Sequence, residues 1–400
     1  MANSFAHPLY HLIAGGLAVF VFSLLATGCM ASTPVSGANA VQGRHTSSAK
    51  VVANADVSRQ ESQSDSELPP YWPWRGVTMV YTGASGPQPS DIDEFVNQFG
   101  INSVHLYPHL LKFGPSQGLS DSQAWSQAMQ WLDVMIAECR KDHVIAIVHL
   151  RSFPKPGGGY YNQHLASFWN NPAAVNEIYT QVAALVKHLD SYGNDLVAFD
   201  IISEPVMKTS FGVESPPGWD GIQKRIIQTI RANDPGRWVV VKPGPWGGAI
   251  GYGDFSPLPF PRLVYSVHIY APNAYTHQGI HGNPVGVHYP GKIGRRYWDK
   301  QMLETVLSPA INFQNRYNVL VWVGEFSAVR WAPGSDQYLR DLVSIFDSHG
   351  WGWSYFSVGG WNGWDPRYDA SYTSGSRADM TGAKSPRWQT LHTLFGEGGN

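Results

Sequence analysis

Leu196 to Pro205 reads LVAFDIISEP, an apolar run that stops abruptly on Ser203, Glu204 and a proline. Val319 to Phe326 has the same form, VLVWVGEF, with Glu325 at its end. Near-continuous apolar strands are expected where both faces are covered, as in a parallel sheet flanked by helices. Working outward, six more such runs occur at 75–82, 101–107, 143–150, 238–242, 263–270 and 351–357. Segments of helical period lie between most of them, at 89–99, 122–141, 172–192, 219–233, 297–317 and 335–349, with a last helix at 386–396. Gly100, Gly193, Gly236 and Gly350 follow these helices, where a C-cap favours glycine. Asn171-Pro172 starts one of them. Strand-then-helix alternation over roughly 330 residues predicts one α/β domain, a (β/α)8 TIM barrel, at residues 69–400. A doubly wound open sheet is the competing topology, but no G-x-G-x-x-G or P-loop follows any of the strands.

The N-terminus reads differently. Leu12 to Thr27 is continuously apolar or small, too short for a comfortable membrane span and suited to a signal-peptide core. It runs into Leu25-Ala26-Thr27-Gly28-Cys29, which resembles a bacterial lipobox with Ala26 where leucine is usual. The expectation is a lipoprotein-type signal peptide over 1–28, with Cys29 as the lipidated residue. An ordinary signal peptide or an uncleaved anchor is the plainer alternative. Residues 29–68 are rich in Ser, Ala, Gln and Asp without apolar periodicity, and read as a flexible linker. The protein is therefore expected to be exported: a lipoprotein of the bacterial cell envelope, otherwise secreted or periplasmic. Cys139 then has no partner and reads as a small buried hydrophobe.

Lys and Arg total 28 against 30 Asp and Glu, so no basic field points to nucleic acid or acidic lipid. The chain carries 16 Trp, 19 Tyr and 17 Phe, many at strand ends and in loops. Aromatic faces there suit the C–H faces of sugars; the plainer reading is packing between loops and barrel.

In a TIM barrel, polar residues at the C-terminal ends of strands converge on one site. Glu204 and Glu325 end the fourth and seventh runs. A lone glutamate at a strand end is usually a solvated rim residue. Two across one barrel mouth form a pair suited to glycosidic cleavage, one carboxyl protonated and one ionised. Differing burial and mutual repulsion would separate their pKa values. His268 and Tyr270 share one face of the sixth strand, which alternation places in the lumen. His149 ends the third strand and His105 lies on the second. Three histidines at one barrel end also suggest a metal, as in barrel amidohydrolases, but that reading is the weaker one, because no H-x-H closes the first strand and no suitable Asp ends the eighth.

These motifs carry a family resemblance. Ser203-Glu204-Pro205, the VHIY ending at Tyr270 and the VGEF ending at Phe326 resemble glycoside hydrolase family 5, the cellulase-type barrels, across roughly residues 69–396. Leu258 to Ile280, Val323 to Pro333, Gly352-Trp353-Ser354-Tyr355 and Trp361-Asn362-Gly363-Trp364 are similar to a bacterial branch of that family. The resemblance implies a retaining glycoside hydrolase acting on a polysaccharide or oligosaccharide, with Glu204 as general acid/base and Glu325 as nucleophile. It implies that Tyr270 hydrogen-bonds Glu325, that His268 sits near Glu204, and that His149 lines the same subsite. It calls for no cofactor, and a tethered monomer is the default assembly. Transglycosylation uses the same residues.

Three positions depart from the family pattern. Ser203 stands where asparagine is usual and would need a bridging water, or a different 2-substituent, to replace its sugar contact. His105 stands where an arginine near the nucleophile is usual, which removes a permanent cation unless Arg151 or Arg330 moves in. Phe356 stands where a tryptophan platform is usual, and Trp361 or Trp364 would take over the stacking. Trp246, Tyr275 and Trp331 are further candidate walls. Either the site is retuned for an unusual sugar, or the barrel has become a glycan-binding protein. The retained glutamates, His268, Tyr270 and His149 favour the enzyme.

Overall fold

The computed structural model describes residues 67–83, 86–193, 197–371 and 380–397. All of them fall in the compact unit Glu61–Asn400. The expected signal peptide, Cys29 and nearly all of the expected linker lie outside the described residues. No described helix is long and apolar enough to cross a membrane.

The strands are β1 (Arg75–Val80), β2 (Ser103–Tyr107), β3 (Ile145–Leu150), β4 (Val197–Ile201), β5 (Trp238–Val241), β6 (Leu263–Ile269), β7 (Val321–Phe326) and β8 (Gly352–Gly359). Each pairs in parallel with its sequence neighbours, and β1 pairs with β8 to close the barrel. The helices around it are α1 (Pro89–Phe99), α2 (Asp121–Lys141), α3 (Pro172–Leu189), α4 (Trp219–Asn233), α5 (Lys300–Tyr317), α6 (Ser335–Ser348) and α7 (Pro386–Glu397). This is the (β/α)8 barrel the apolar runs predict. Between β5 and β6 only a short 3-10 turn, Ala249–Gly253, takes the helical position.

Local chemistry sets the helix ends. The Asn171 side chain accepts from the backbone of Ala173 and Ala174 at the head of α3, with Pro172 at its first position. The expected helix at 297–317 starts later, at Lys300, because Asp299 caps it by accepting from the Met302 amide at 3.0 Å. The preceding residues Arg296–Trp298 instead pair antiparallel with Gly291–Ile293. Cys139 is fully buried on α2, as its apolar setting suggests, and burial pushes its thiol up.

Every residue of β2, β3, β4, β6 and β7 is buried, because helices cover one face and the lumen the other. A distinct apolar plug of Trp74, Ile145, Ile147, Ala198, Trp238, Val240, Val264 and Trp322 fills the lumen. Following the inward positions towards the C-terminal ends, the plug gives way to His149 after Ile147, Asp200 after Ala198, and Lys242 after Val240. The polar residues of the site therefore stand on an apolar, close-packed floor.

Candidate active site

Glu325 faces the lumen because β7 carries a bulge. Val323 pairs with Val267, but Glu325 pairs with His268, so Gly324 is an extra residue in the strand. Without it, alternation from the inward Trp322 would turn Glu325 towards the helices. A side chain at Gly324 would place its Cβ 2.6 Å from Ser266 Oγ and 2.9 Å from His268 Nε2. Glycine is what lets the strand bend against β6.

Glu204 reaches the mouth by a different device. Ile202, just past β4, has φ +55°, a left-handed conformation that costs a β-branched residue about 1–3 kcal/mol. The turn is pinned by the Ile202 amide donating to Leu150 O at 2.9 Å.

Four groups converge on the two carboxylates. The Tyr107 hydroxyl donates to Glu325 Oε1 at 2.5 Å and the Tyr270 hydroxyl donates to Glu325 Oε2 at 3.0 Å. His268 Nδ1 lies 3.5 Å from Glu204 Oε1 and 3.8 Å from Glu325 Oε1, between the pair. Arg151 Nη1 lies 3.3 Å from Glu204 Oε2. One oxygen of Glu204, one of Glu325 and one ring nitrogen of His268 all lie within 4.8 Å of one another.

The pair is electrostatically split. Burial pushes the Glu204 carboxyl up, but the hydrogen bond with His268 and the charge of Arg151 outweigh it and hold it at about 2. Burial raises Glu325; the charge of Glu204 adds to that, while His268 and the Tyr107 hydroxyl oppose it. Burial and the adjacent carboxylate push the Tyr107 and Tyr270 phenols far up, so both remain donors.

Beneath this layer lies a buried ionic one. Lys242 Nζ donates to Asp200 Oδ1, and His105 Nε2 lies 3.3 Å from Asp200 Oδ2. His149 Nδ1 lies 3.1 Å from the Asp200 backbone oxygen. Asp200 and Lys242 are both wholly buried. Burial opposes ionisation of Asp200, but Lys242 and His105 hold its carboxyl far below the usual range. His105, His149 and Asp200 have metal-ligand spacing, yet the Lys242 ammonium already supplies that cluster's cation.

Comparison with known proteins decides the family. The family model described as cellulase (glycosyl hydrolase family 5) matches residues 63–362. The chain belongs to glycoside hydrolase family 5. Endoglucanase C of Acetivibrio thermocellus is 21% identical over 189 residues, 40% of this chain and 53% of that protein. Endoglucanase C307 of a Clostridium species matches to the same extent. The chain thus spans about half the length of these curated relatives. Among solved structures, endoglucanase Cel5A of Thermotoga maritima superposes with a TM-score of 0.61 at 14% identity, over 80% of this chain and 96% of that one. The cellulose synthase subunit Z of Clostridioides difficile gives 0.60 at 13% identity, over 80% and 99%. At such identity these likenesses concern the fold.

Set beside the family pattern, this family 5 barrel brings Glu204, Glu325, His268 and Tyr270 together as the strand ends predict. Two histidines are placed otherwise. His105 does not approach Glu325: it points one layer lower, onto Asp200. His149 does not line the cleft, because the Tyr107 ring stacks on it with centroids 3.9 Å apart. Tyr107, which strand-end reasoning passed over, takes the position beside Glu325. Its signal was present: it lies two residues beyond His105 on the same strand face. Of the two arginines, Arg151 moves in, but onto Glu204. Arg330 instead donates to the Asn362 backbone oxygen and pairs with Asp369.

Ser203 is fully buried beside the Tyr107 hydroxyl. Phe356 lies edge-on to Tyr107 and Tyr270. Trp364 packs on Tyr270 and Phe356, and Trp361 packs on Trp364. Trp361 is 36% exposed and Trp364 only 8%, so Trp361 offers the freer face. Trp331 stands edge-on to Trp361. Trp246 lies on the Glu204 side, edge-on to His164. Tyr275 is no wall: it is fully buried, with its hydroxyl donating to Pro333 O.

Proposed function

We propose that the protein is a retaining glycoside hydrolase that cleaves O-glycosidic bonds of a polysaccharide or oligosaccharide. The supporting observation is the separation of the pair. A retaining site holds its carboxyls about 5–5.5 Å apart, and an inverting site about 6.5–9.5 Å to admit a water. Approach of the Glu204 and Glu325 oxygens to within 4.8 Å favours the retaining geometry.

In this reading Glu325 is the nucleophile. Its oxygens accept from two phenols, and hydrogen bonds to the charged form favour the carboxylate. Glu325 attacks the anomeric carbon while Glu204 protonates the leaving oxygen, giving a glycosyl ester on Glu325. Glu204 then takes a proton from the water that hydrolyses the ester. Glu204 held ionised suits the second step directly, because there it accepts a proton. The first step needs Glu204 protonated, so the glycoside must loosen the hold of His268 and Arg151 on it. Ionised Glu325 also raises Glu204, because neighbouring carboxyls resist a second charge. Phe356, Trp361 and Trp364 form the sugar-stacking wall. Export, and attachment to the envelope through Cys29, belong to the same proposal; the apolar run Leu12–Thr27 ahead of that cysteine supports them.

Incubation with 2-fluoro-glycosides of several sugars, followed by mass spectrometry, tests the mechanism. A covalent adduct on Glu325 is expected, and on Glu325→Gln none. An adduct on another residue, or hydrolysis with inversion, overturns it.

A further inference from the structure

The Glu204 side of the cleft is unusually cationic. Arg151, which touches Glu204 through Nη1, contacts His164 through Nη2 and walls a cavity of about 290 Å3 shared with His109, Lys112 and Tyr161. No residue lining this cavity is acidic. The chain has no Asp or Glu from Ile101 to Ser120 or from His143 to Asn176, so the loops after β2 and β3 bring none. Asp121 lines the neighbouring cavity, behind Tyr160. Lys155 over the Tyr161 ring and Lys208 over the Trp246 ring add two more cations nearby. All this occurs in a protein of net charge −2.

Lys112 makes no ion pair among the described residues; its ammonium lies 5.3 Å from the Phe113 ring centroid. Burial lowers its pKa and the Arg151 charge lowers it further, so the two cations oppose each other across the cavity. His109 and His164, held by burial at about 3 and about 4, stay neutral at neutral pH and add ring N–H donors without demanding a counter-ion. Like charges converging on a cavity with no acid in its wall make a site for an anion, and a guanidinium presents a planar fork that fits a carboxylate.

We propose that this cavity is a subsite for a carboxylate-bearing sugar, so that the substrate is an acidic glycan whose carboxylate is held by Lys112 and Arg151. The inference rests on the glycosidase reading of the cleft. It also supplies part of what the first chemical step lacks. A carboxylate that recruits Arg151 draws it from Glu204 and removes a charge that keeps Glu204 ionised. The acidic substituent thereby raises kcat as well as lowering KM.

The test uses the protein with Glu325→Gln, which leaves the cavity intact. Binding of cello- and manno-oligosaccharides is compared by calorimetry with that of their uronic-acid counterparts, at low and high salt. The acidic ligands are expected to bind about tenfold more tightly at low salt, with the preference shrinking as salt rises. Adding Lys112→Gln should reduce the preference about three- to tenfold. Equal or weaker binding of the acidic ligands overturns the subsite, as does a preference that Lys112→Gln leaves untouched. Hydrolysis by the protein with Glu325 in place separates the two readings. Cleavage of neutral glycans without acidic preference sinks the subsite alone. An acidic preference in a protein that cleaves nothing sinks the hydrolase alone.

Discussion

The Tyr107 hydroxyl donates to Glu325 Oε1 at 2.5 Å from the strand position directly above His105. A neutral donor thus stands where the family resemblance places a permanent cation. Burial pushes this phenol well up, so it donates throughout the working pH range. The contact favours the ionised form of Glu325 by geometry rather than by net charge, against the burial that raises its pKa. Its removal should be felt in chemistry more than in folding.

Tyr107→Phe is therefore expected to lower kcat by about 10- to 100-fold, since a hydrogen bond to a charged group contributes about 1.5–3 kcal/mol. The hydrogen bond lowers the Glu325 pKa, so its loss raises that pKa. The acidic limb of the pH–kcat/KM profile should shift to higher pH. An unchanged limb with an unchanged kcat would show that Tyr270 alone suffices.

Gly324→Ala tests the bulge. Its Cβ would meet Ser266 Oγ, His268 Nε2 and Trp322 Cζ3 at 2.6, 2.9 and 3.1 Å. Overpacking of this kind costs about 1–3 kcal/mol of stability. Displacing His268 should also cost activity beyond what the melting shift explains. A variant with lowered Tm and intact kcat would mean that the bulge serves folding only.

The barrel was legible because strands covered on both faces read as unbroken apolar runs. Glu204, His268, Glu325 and Tyr270 were legible because barrel chemistry collects at strand ends. What was hidden depends on register. Simple alternation cannot show that Gly324 is a bulge and so turns Glu325 inward. The partner of Lys242 lies one strand away, on Asp200, and the run WVVVK gives no sign of it. His105 reads as a site residue from its strand and from the family pattern alike, whereas the pleat puts it a layer lower and brings Tyr107 up. Tyr275 looked like a cleft aromatic because it sits in a loop, but that loop folds back and buries it.

Lys242→Met tests the ionic layer. It leaves Asp200 charged and buried without its ammonium, and breaking such a pair costs about 3–5 kcal/mol. The double variant Lys242→Met with Asp200→Asn removes both charges and should recover part of that loss in a urea titration. Equal stability of the single and double variants would show that the two residues do not act as a pair.

The buried histidines make stability fall in acid. Burial holds His105 and His149 below the ordinary value, and His109 at about 3. In the unfolded chain each takes a proton near pH 6.5, as free histidine does, at about that value. Between that pH and the lower folded pKa, the unfolded state binds more protons, so each histidine withdraws up to about 1.4 kcal/mol per pH unit as the pH falls. Asp200 acts in the same direction but at lower pH, below about 3.9 where the unfolded carboxyl takes its proton, because its folded pKa is also depressed. Stability is therefore full above about pH 6.5 and declines below it. The urea midpoint measured from pH 8 to pH 4 should be level at first and then drop steadily, well before ordinary carboxylates titrate. His109→Gln should flatten the slope below pH 6 while leaving the plateau in place. A midpoint that holds level down to pH 4 would show that the folded protein protonates these rings freely, against the burial that defines the layer.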